Sequence, residues 1–169
     1  LLTGYSPVTV ITAAREYPMD GHMHLGIYLN QYRDGTDFGY DELLTQARSI
    51  EELGFDSVAV GERHFYDEGF LDPWTCLTAL GTATESLTIA SNILILPVYH
   101  PIHAAERIAN VDRLTDGRTM WGLAVGYRER ELESFGVEMD ARGHRFAESI
   151  ETIKRLLGGE RVDLDGDFH

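Results

Sequence analysis

The most informative stretch of the chain is Phe55-Asp56-Ser57-Val58-Ala59-Val60-Gly61-Glu62-Arg63-His64-Phe65, in which an apolar run ends abruptly in a polar cluster. A short apolar run with such a boundary is typical of a strand buried in a parallel sheet. In a barrel of alternating strands and helices, catalytic side chains project from the carboxyl ends of the strands. The pattern therefore makes His64 the first candidate for a functional residue.

Strand and helix signals alternate on both sides of this stretch. Short apolar runs predict strands over 24–29, 55–60, 87–96 and 119–125. Apolar residues at helical spacing predict helices over 40–53, 74–86, 102–114 and 142–157. Four successive βα units require a parallel sheet with right-handed crossovers.

Two α/β architectures satisfy that requirement, an open doubly wound sheet and a closed barrel. An open sheet usually carries a glycine-rich phosphate turn after its first strand, whereas this chain has Asn30-Gln31-Tyr32-Arg33-Asp34 there. We therefore prefer the barrel. Because a (β/α)8 TIM barrel needs about 250 residues, we predict that the chain supplies about the first four βα units.

The domain is predicted to begin near Met23, which precedes the first convincing strand. Residues 1–22 are interpreted as an N-terminal tail or as read-through from upstream sequence, and residues 23–169 as the N-terminal half of the barrel domain. The N-terminal segment lacks the basic leader of a secretion signal. No apolar stretch approaches the roughly 18 to 20 residues that a membrane helix needs.

Charge and cysteine content restrict the partners and the setting. The 169 residues include 28 acidic and 14 basic side chains, which gives a formal charge of −14, and Lys154 is the only lysine. Nucleic acid is therefore not expected as a partner. An acidic surface with so little lysine favours a halophilic source, with an ordinary acidic protein as the alternative. Cys76 is the only cysteine, which favours a reducing, cytoplasmic location.

Several motifs occur in one order along the chain. They are GERHF at 61–65, SNILILPVYHP at 91–101, AAERIANVDRLTDGR at 104–118, WGLAVGYRERELESFGV at 121–137 and DARGHRFAESIETIKRLL at 140–157. Their order and spacing resemble the luciferase-like monooxygenase family. The resemblance implies a TIM barrel that uses FMN or a deazaflavin, a small-molecule substrate, a flavin reductase or a pool of reduced cofactor, and a homodimer.

At GERHF, residues 61–65, the resemblance to the family is incomplete. Bacterial luciferase has two adjacent histidines after this strand, the first of them catalytic, and here the pair is Arg63-His64. A guanidinium stays charged and cannot act as a general base, but Arg63 can pair with an anionic substrate or a reduced flavin. His64 suits a proton shuttle because its ordinary pKa is near neutrality. The alternative is a structural histidine at the barrel rim, and Glu62 is interpreted as a structural partner of Arg63 or of a neighbouring loop.

The remaining cofactor contacts are implied by the resemblance alone. A non-proline cis peptide that lies against the flavin ring in the family would fall at Asn92-Ile93 here. Where luciferase has an arginine for the cofactor phosphate this chain has Val125, so the phosphate contact is assigned to Gly126, Tyr127 and Arg128. For Arg128, an ion pair with Glu131 or Glu133 remains the alternative.

Other candidate ligands are weaker. His100 and His103 are interpreted as structural or solvent-facing, and no metal site is predicted because the histidines lack partners at ligand spacing.

Two classes of function follow. The first is a flavin- or deazaflavin-dependent oxidoreductase, as a monooxygenase that consumes oxygen or as a dehydrogenase that transfers a hydride, with His64 as acid or base. The second is a non-catalytic, truncated half barrel that acts only by association.

Overall fold

A five-stranded sheet forms the centre of the molecule in the computed structural model, which describes residues 8–11, 23–31, 39–65, 67, 69–163 and 166. The strands are β1 (Val8–Ile11), β2 (Gly26–Tyr28), β3 (Ser57–Val60), β4 (Thr88–Ile95) and β5 (Thr119–Ala124). Their order in the sheet is β1-β5-β4-β3-β2. Strands β2 to β5 pair in parallel, whereas β1 runs antiparallel to β5.

Helices connect the parallel strands. They are α1 (Tyr40–Glu52), α2 (Pro73–Ala83), α3 (Pro101–Leu114), α4 (Glu129–Ser134) and α5 (Arg142–Leu157), with a short 3-10 helix at Leu96–Val98. The four predicted βα units are therefore confirmed, and the bounds of α5 match the prediction. None of the helices within the described ranges has the length and apolar character that a membrane crossing requires.

The core lies between the sheet and the helices. Alternate strand residues such as Val58, Val60 and Ile89 are buried on the helix-covered side. Tyr28, which pairs with Ala59 in the register of β2 and β3, lies on the opposite side and is 48% exposed. One face of the sheet is thus covered by helices, and the opposite face is partly open.

Strand β1 lies in the segment that we interpreted as a tail, where the apolar pattern had not predicted a strand. Val8 pairs with Ala124 and Ile11 with Trp121, so β1 covers the outer edge of β5. This pairing satisfies backbone groups that an edge strand leaves open. A domain boundary near residue 23 stays a prediction.

The order of the strands places the polar motifs together. Strand β4 lies between β3 and β5 and is parallel to both. The segments that follow these three strands therefore emerge at the same edge of the sheet, which is where ligands bind in parallel α/β folds.

Candidate functional site

A buried glutamate organises this edge of the sheet. The Glu62 side chain has no exposed surface, and its Oε2 accepts a hydrogen bond from the Ile95 backbone N–H at 2.5 Å. Its Oε1 accepts one from the Tyr99 hydroxyl and lies 2.9 Å from Nε2 of His64. Glu62 is therefore a partner of the neighbouring loop after β4, which was one of the two roles expected for it.

The His64 ring lies half-buried between this carboxylate and an aromatic side chain. Its side chain is 25% exposed, and its ring meets Phe135 edge-on with centroids 4.7 Å apart. The hydrogen bond to Glu62 raises the pKa of His64 despite the opposing effect of burial, and the charges of Glu62, Glu131 and Asp72 raise this pKa further. His64 is thus a titratable group that is hydrogen-bonded to a buried carboxylate.

Residues around α4 hold the main chain of His64. Glu131, which is buried, accepts a hydrogen bond from the His64 backbone N–H at 2.6 Å. Nη1 of Arg128 donates to the His64 carbonyl oxygen at 3.2 Å and lies 3.9 Å from Glu131 Oε1. Arg128 thus forms the ion pair with Glu131 that was the alternative role, and a phosphate contact from Arg128 stays a prediction.

Gln31 connects the end of β2 to the segment between β3 and α2. Its fully buried amide accepts a hydrogen bond from the Gly61 N–H at 2.6 Å and donates to the Leu71 carbonyl at 3.1 Å. It also lies 3.8 Å from the Cys76 sulfur. Burial raises the pKa of the Cys76 thiol to about 12, so this cysteine stays protonated.

Two glycines lie close to the backbone of residues 91–93, Gly61 directly after β3 and Gly122 within β5. A Cβ atom on Gly61 would collide with the Tyr28 hydroxyl and lie 3.2 Å from the Asn92 carbonyl oxygen. A Cβ atom on Gly122 would lie 2.5 Å from the Ser91 carbonyl oxygen and 3.3 Å from the Ile93 side chain. The Asn92-Ile93 peptide is cis, at the position that the resemblance implied.

The other predicted site residues lie around this centre. Gly126 has a φ of +78°, and a Cβ there would meet Ile95 and Leu132, so glycine suits this turn sterically. Tyr127 is 69% exposed, and Arg63 follows Glu62 at the end of β3. The cofactor and catalytic roles of these residues stay predictions.

The two weaker histidine candidates lie on or beside α3. His100 precedes this helix, and its Nδ1 accepts a hydrogen bond from the Ile102 N–H at 3.3 Å, which is a capping interaction. The His103 side chain is 72% exposed and lies 3.4 Å from Glu106. Within the described part of the chain, no cluster of three or more histidine, cysteine or acidic side chains is arranged to hold a metal ion.

Pattern reasoning missed Tyr99, Gln31 and Glu131 as members of this site. Tyr99 lies two residues before the proline that opens α3, and Glu131 lies within a charged segment that resembles a solvent-facing helix. Burial of a polar side chain is the signal that identifies them, and burial is a property of the folded chain. Tyr99 is hydrogen-bonded to Glu62, Glu131 to the His64 backbone and Gln31 to the Gly61 N–H, all at the carboxyl end of β3.

Known proteins match most of the chain. Residues 19–169 match the family described as luciferase-like monooxygenase. The F420-dependent glucose-6-phosphate dehydrogenase of Microbacterium testaceum is 33% identical over 142 residues, which are 78% of this chain and 41% of that protein.

Solved structures give the same result for the fold. The monooxygenase RslO1 from Streptomyces bottropensis superposes with a TM-score of 0.80 at 29% identity, over 87% of this chain and 46% of that one. The oxygenating constituent of 3,6-diketocamphane monooxygenase from Pseudomonas putida, in complex with FMN, superposes with a TM-score of 0.79 at 20% identity, over 87% of this chain and 42% of that one. These matches confirm the predicted TIM-barrel class, and the chain spans less than half the length of each relative.

Proposed function

The chain belongs to the luciferase-like monooxygenase family, and we propose that the protein is an oxidoreductase that uses FMN or a deazaflavin on a small organic substrate. The observation that carries the proposal is the position of His64. It is hydrogen-bonded to a buried carboxylate at the carboxyl end of β3, in the segment that begins at Gly61, where the Asn92 carbonyl group approaches closely.

The residues present fit a planar ring system. Gly61 and Gly122 place no Cβ atom beside the Asn92 and Ser91 carbonyl groups, and this lack of a side chain at both positions would let a flat molecule approach the neighbouring backbone closely. Asn92 is exposed and Ile93 is half-buried, so both residues have solvent-accessible surface. We propose that these two residues contact the ring and that Gly126, Tyr127 and Arg128 contact the phosphate.

The bound ring would supply electron transfer, either to oxygen or to and from the substrate as a hydride. The residues of the chain would hold the reacting atoms in position and exclude water from them, while His64 would donate or accept the proton. Arg63 would pair with an anionic group of the substrate or of the reduced ring.

We favour a monooxygenase, with a deazaflavin-dependent dehydrogenase as the second candidate. Two observations support the second. Arg63 stands where the luciferases implied a first histidine, and the dehydrogenase of Microbacterium testaceum is 33% identical to this chain. We also propose that the protein forms a homodimer and that a flavin reductase or a pool of reduced cofactor supplies its electrons.

Cofactor titration of the whole protein tests the proposal. Oxidised FMN and the deazaflavin F420 are titrated separately and followed by fluorescence, and oxygen uptake is then measured during turnover of aldehydes and alcohols. Oxygen consumption matched to product supports the monooxygenase, and turnover without oxygen consumption supports the dehydrogenase. If neither cofactor binds, the proposed function is wrong.

Substitution of His64 tests its role. We expect His64→Ala to lower kcat by about 100-fold or more, because a positioned acid or base contributes about 10²- to 10⁴-fold. His103→Ala is the matched control, since its side chain is 72% exposed on α3. Full activity in the His64 variant would remove it from the mechanism without affecting the family assignment.

A further inference from the structure

We propose that Nδ1 of His64, and not Nε2, is the atom that exchanges a proton with the substrate, and that Glu62 is the positioning residue that enforces this choice. The inference rests on the proposed function, because it specifies the atom through which His64 acts. It follows from three features of the structure: the donors around Glu62, the resulting tautomer and the anchoring of the His64 backbone.

The first step is the charge state of Glu62. Its Oε2 faces the Ile95 backbone N–H at 2.5 Å, and an N–H group can only donate. Its Oε1 accepts from the Tyr99 hydroxyl. Burial and the adjacent Glu62 charge raise the pKa of Tyr99 well above its usual range, so this hydroxyl keeps the proton that it donates. Both oxygens of Glu62 are therefore acceptors, as in a carboxylate.

The second step is the tautomer of His64. Its Nε2 lies 2.9 Å from Oε1 of Glu62. Two unprotonated atoms at that distance would oppose their lone pairs, so Nε2 carries the hydrogen. In neutral His64 the lone pair is then on Nδ1, for which the described residues provide no hydrogen-bond partner.

The third step is the anchoring of the His64 backbone, which limits movement of the imidazole ring away from Glu62. Its N–H donates to Glu131 and its carbonyl accepts from Arg128. On the ring itself, Phe135 lies edge-on at 4.7 Å. The anionic groups that act on His64 are Glu62, Glu131 and Asp72, and the cation near it is Arg128.

The proton step balances within this geometry. A substrate hydroxyl gives its proton to Nδ1 and keeps the bonding electron pair, which leaves a negative charge on the substrate and an imidazolium beside Glu62. In the reverse direction, Nδ1–H returns the proton to a basic oxygen. The Nε2–H bond to Glu62 stays intact throughout, and the carboxylate stabilises the imidazolium without receiving a proton.

Nitrogen NMR of the whole protein tests the tautomer directly. Ring 15N shifts are recorded as a function of pH, and His64 is identified among the seven histidines by the signals that disappear in His64→Gln. We expect neutral His64 to be protonated at Nε2. Protonation at Nδ1 would overturn the inference, whatever the activity of the enzyme.

A Glu62→Gln variant tests whether Glu62 determines the tautomer of His64. Because Ile95 N–H can only donate, the amide oxygen must face Ile95, and the amide NH2 must then face His64 and Tyr99. We expect neutral His64 to switch to the Nδ1–H tautomer and kcat to fall by about 100-fold, since a wrong tautomer removes the base. Tyr99→Phe is the matched control, because it keeps the carboxylate and should keep the Nε2–H tautomer.

The outcomes separate the inference from the proposed function. Cofactor binding and turnover with an unchanged tautomer and kcat in Glu62→Gln would refute the role of Glu62 and leave the proposed function intact. Failure of both cofactors to bind would refute the proposed function and with it the proton transfer at Nδ1, while the NMR result would still decide the tautomer. The pH profile of kcat gives a further readout that a loss of folded protein would not reproduce. Removal of the Glu62 charge should lower the pKa of His64 and so move the acid limb of kcat to lower pH.

Discussion

At the scale of single residues, Glu51 shows how one carboxylate fixes a turn that is distant in sequence. It lies in the last turn of α1 and accepts hydrogen bonds from the backbone N–H groups of Glu85, Ser86 and Leu87 and from the Ser86 hydroxyl. Burial alone would raise the pKa of Glu51, but these bonds outweigh it and lower the pKa. The charged form of Glu51 therefore stabilises the entry to β4.

Replacement of Glu51 should destabilise the protein in a pH-dependent way. We expect Glu51→Ala to lower the free energy of unfolding by about 1–2 kcal/mol near neutral pH, because hydrogen bonds to charged groups are stronger than neutral ones. The folded-state pKa is lowered, so this stabilisation is complete above the unfolded-state pKa and is lost as the pH falls through the folded-state value.

Urea unfolding at about pH 7 and about pH 3 measures this effect. Glu52→Ala is the matched control, since Glu52 is the exposed neighbour on the same helix. Equal stability of the two variants at neutral pH would show that the Glu51 hydrogen bonds contribute nothing measurable.

Individual site residues were predictable from the sequence where they directly follow a recognisable strand pattern. The end of an apolar run identified Glu62 and His64 as neighbours at the carboxyl end of a strand. The partners were not predictable in the same way, because Tyr99 and Arg128 meet this pair across separations of 37 and 64 residues. Only the packing of neighbouring strands brings such side chains together.

At the scale of secondary structure, α2 is held at both ends by side chains. Asp72 accepts hydrogen bonds from the N–H and the hydroxyl of Thr75 at 2.7 and 2.6 Å, which caps its first turn. Beyond its other end, the Arg118 guanidinium donates to the carbonyl groups of Gly81, Thr84 and Leu87. These contacts fix the helix that follows the segment containing Glu62 and His64.

Loss of the Asp72 cap should weaken α2 by a predictable amount. We expect Asp72→Ala to lower the free energy of unfolding by about 1 kcal/mol, whereas Asp72→Asn should retain most of it because asparagine caps helices about as well. Thermal and urea unfolding of both variants measure the difference. A loss of the same size in both variants would mean that the charge of Asp72, and not its cap, stabilises the helix.

Helices with long apolar patterns were predicted more accurately than short helices and strands. The helices α1, α3 and α5 were predicted within one residue at each end, because each presents an apolar stripe over 13 or more residues. The helix α4 was missed, since its six residues include four charged ones. The strands are shorter than predicted, and flanking residues such as Leu25, Leu29 and Asp56 still form backbone hydrogen bonds with the neighbouring strand segments.

At the scale of the whole molecule, the open face of the sheet is the feature that separates this chain from a closed barrel. The chain spans 46% of the monooxygenase from Streptomyces bottropensis, and its helices cover only one side of the strands. Tyr28 and Asn92 on the other side are exposed. This agrees with the prediction that the chain supplies about the first four βα units, which are half of those that a closed barrel requires.

The acidic surface predicts that salt stabilises the folded state. Its formal charge of −14 arises from 28 acidic and 14 basic residues, so the compact state contains strong repulsion that salt screens. The screening length falls from about 10 Å at 0.1 M to about 3 Å at 1 M salt. We expect the free energy of unfolding to rise steadily with KCl over that range, as urea unfolding at each concentration would show.

A variant with less charge separates screening from general salt effects. Glu52, Glu133 and Glu138 are exposed, and their joint replacement by glutamine should raise stability at low salt and flatten its dependence on KCl, because it removes part of the repulsion that salt otherwise screens. An equal rise with KCl in both proteins would assign the effect to hydration of apolar surface instead. Stability that does not change with KCl in the original protein would refute both the repulsion argument and the expectation of a halophilic source.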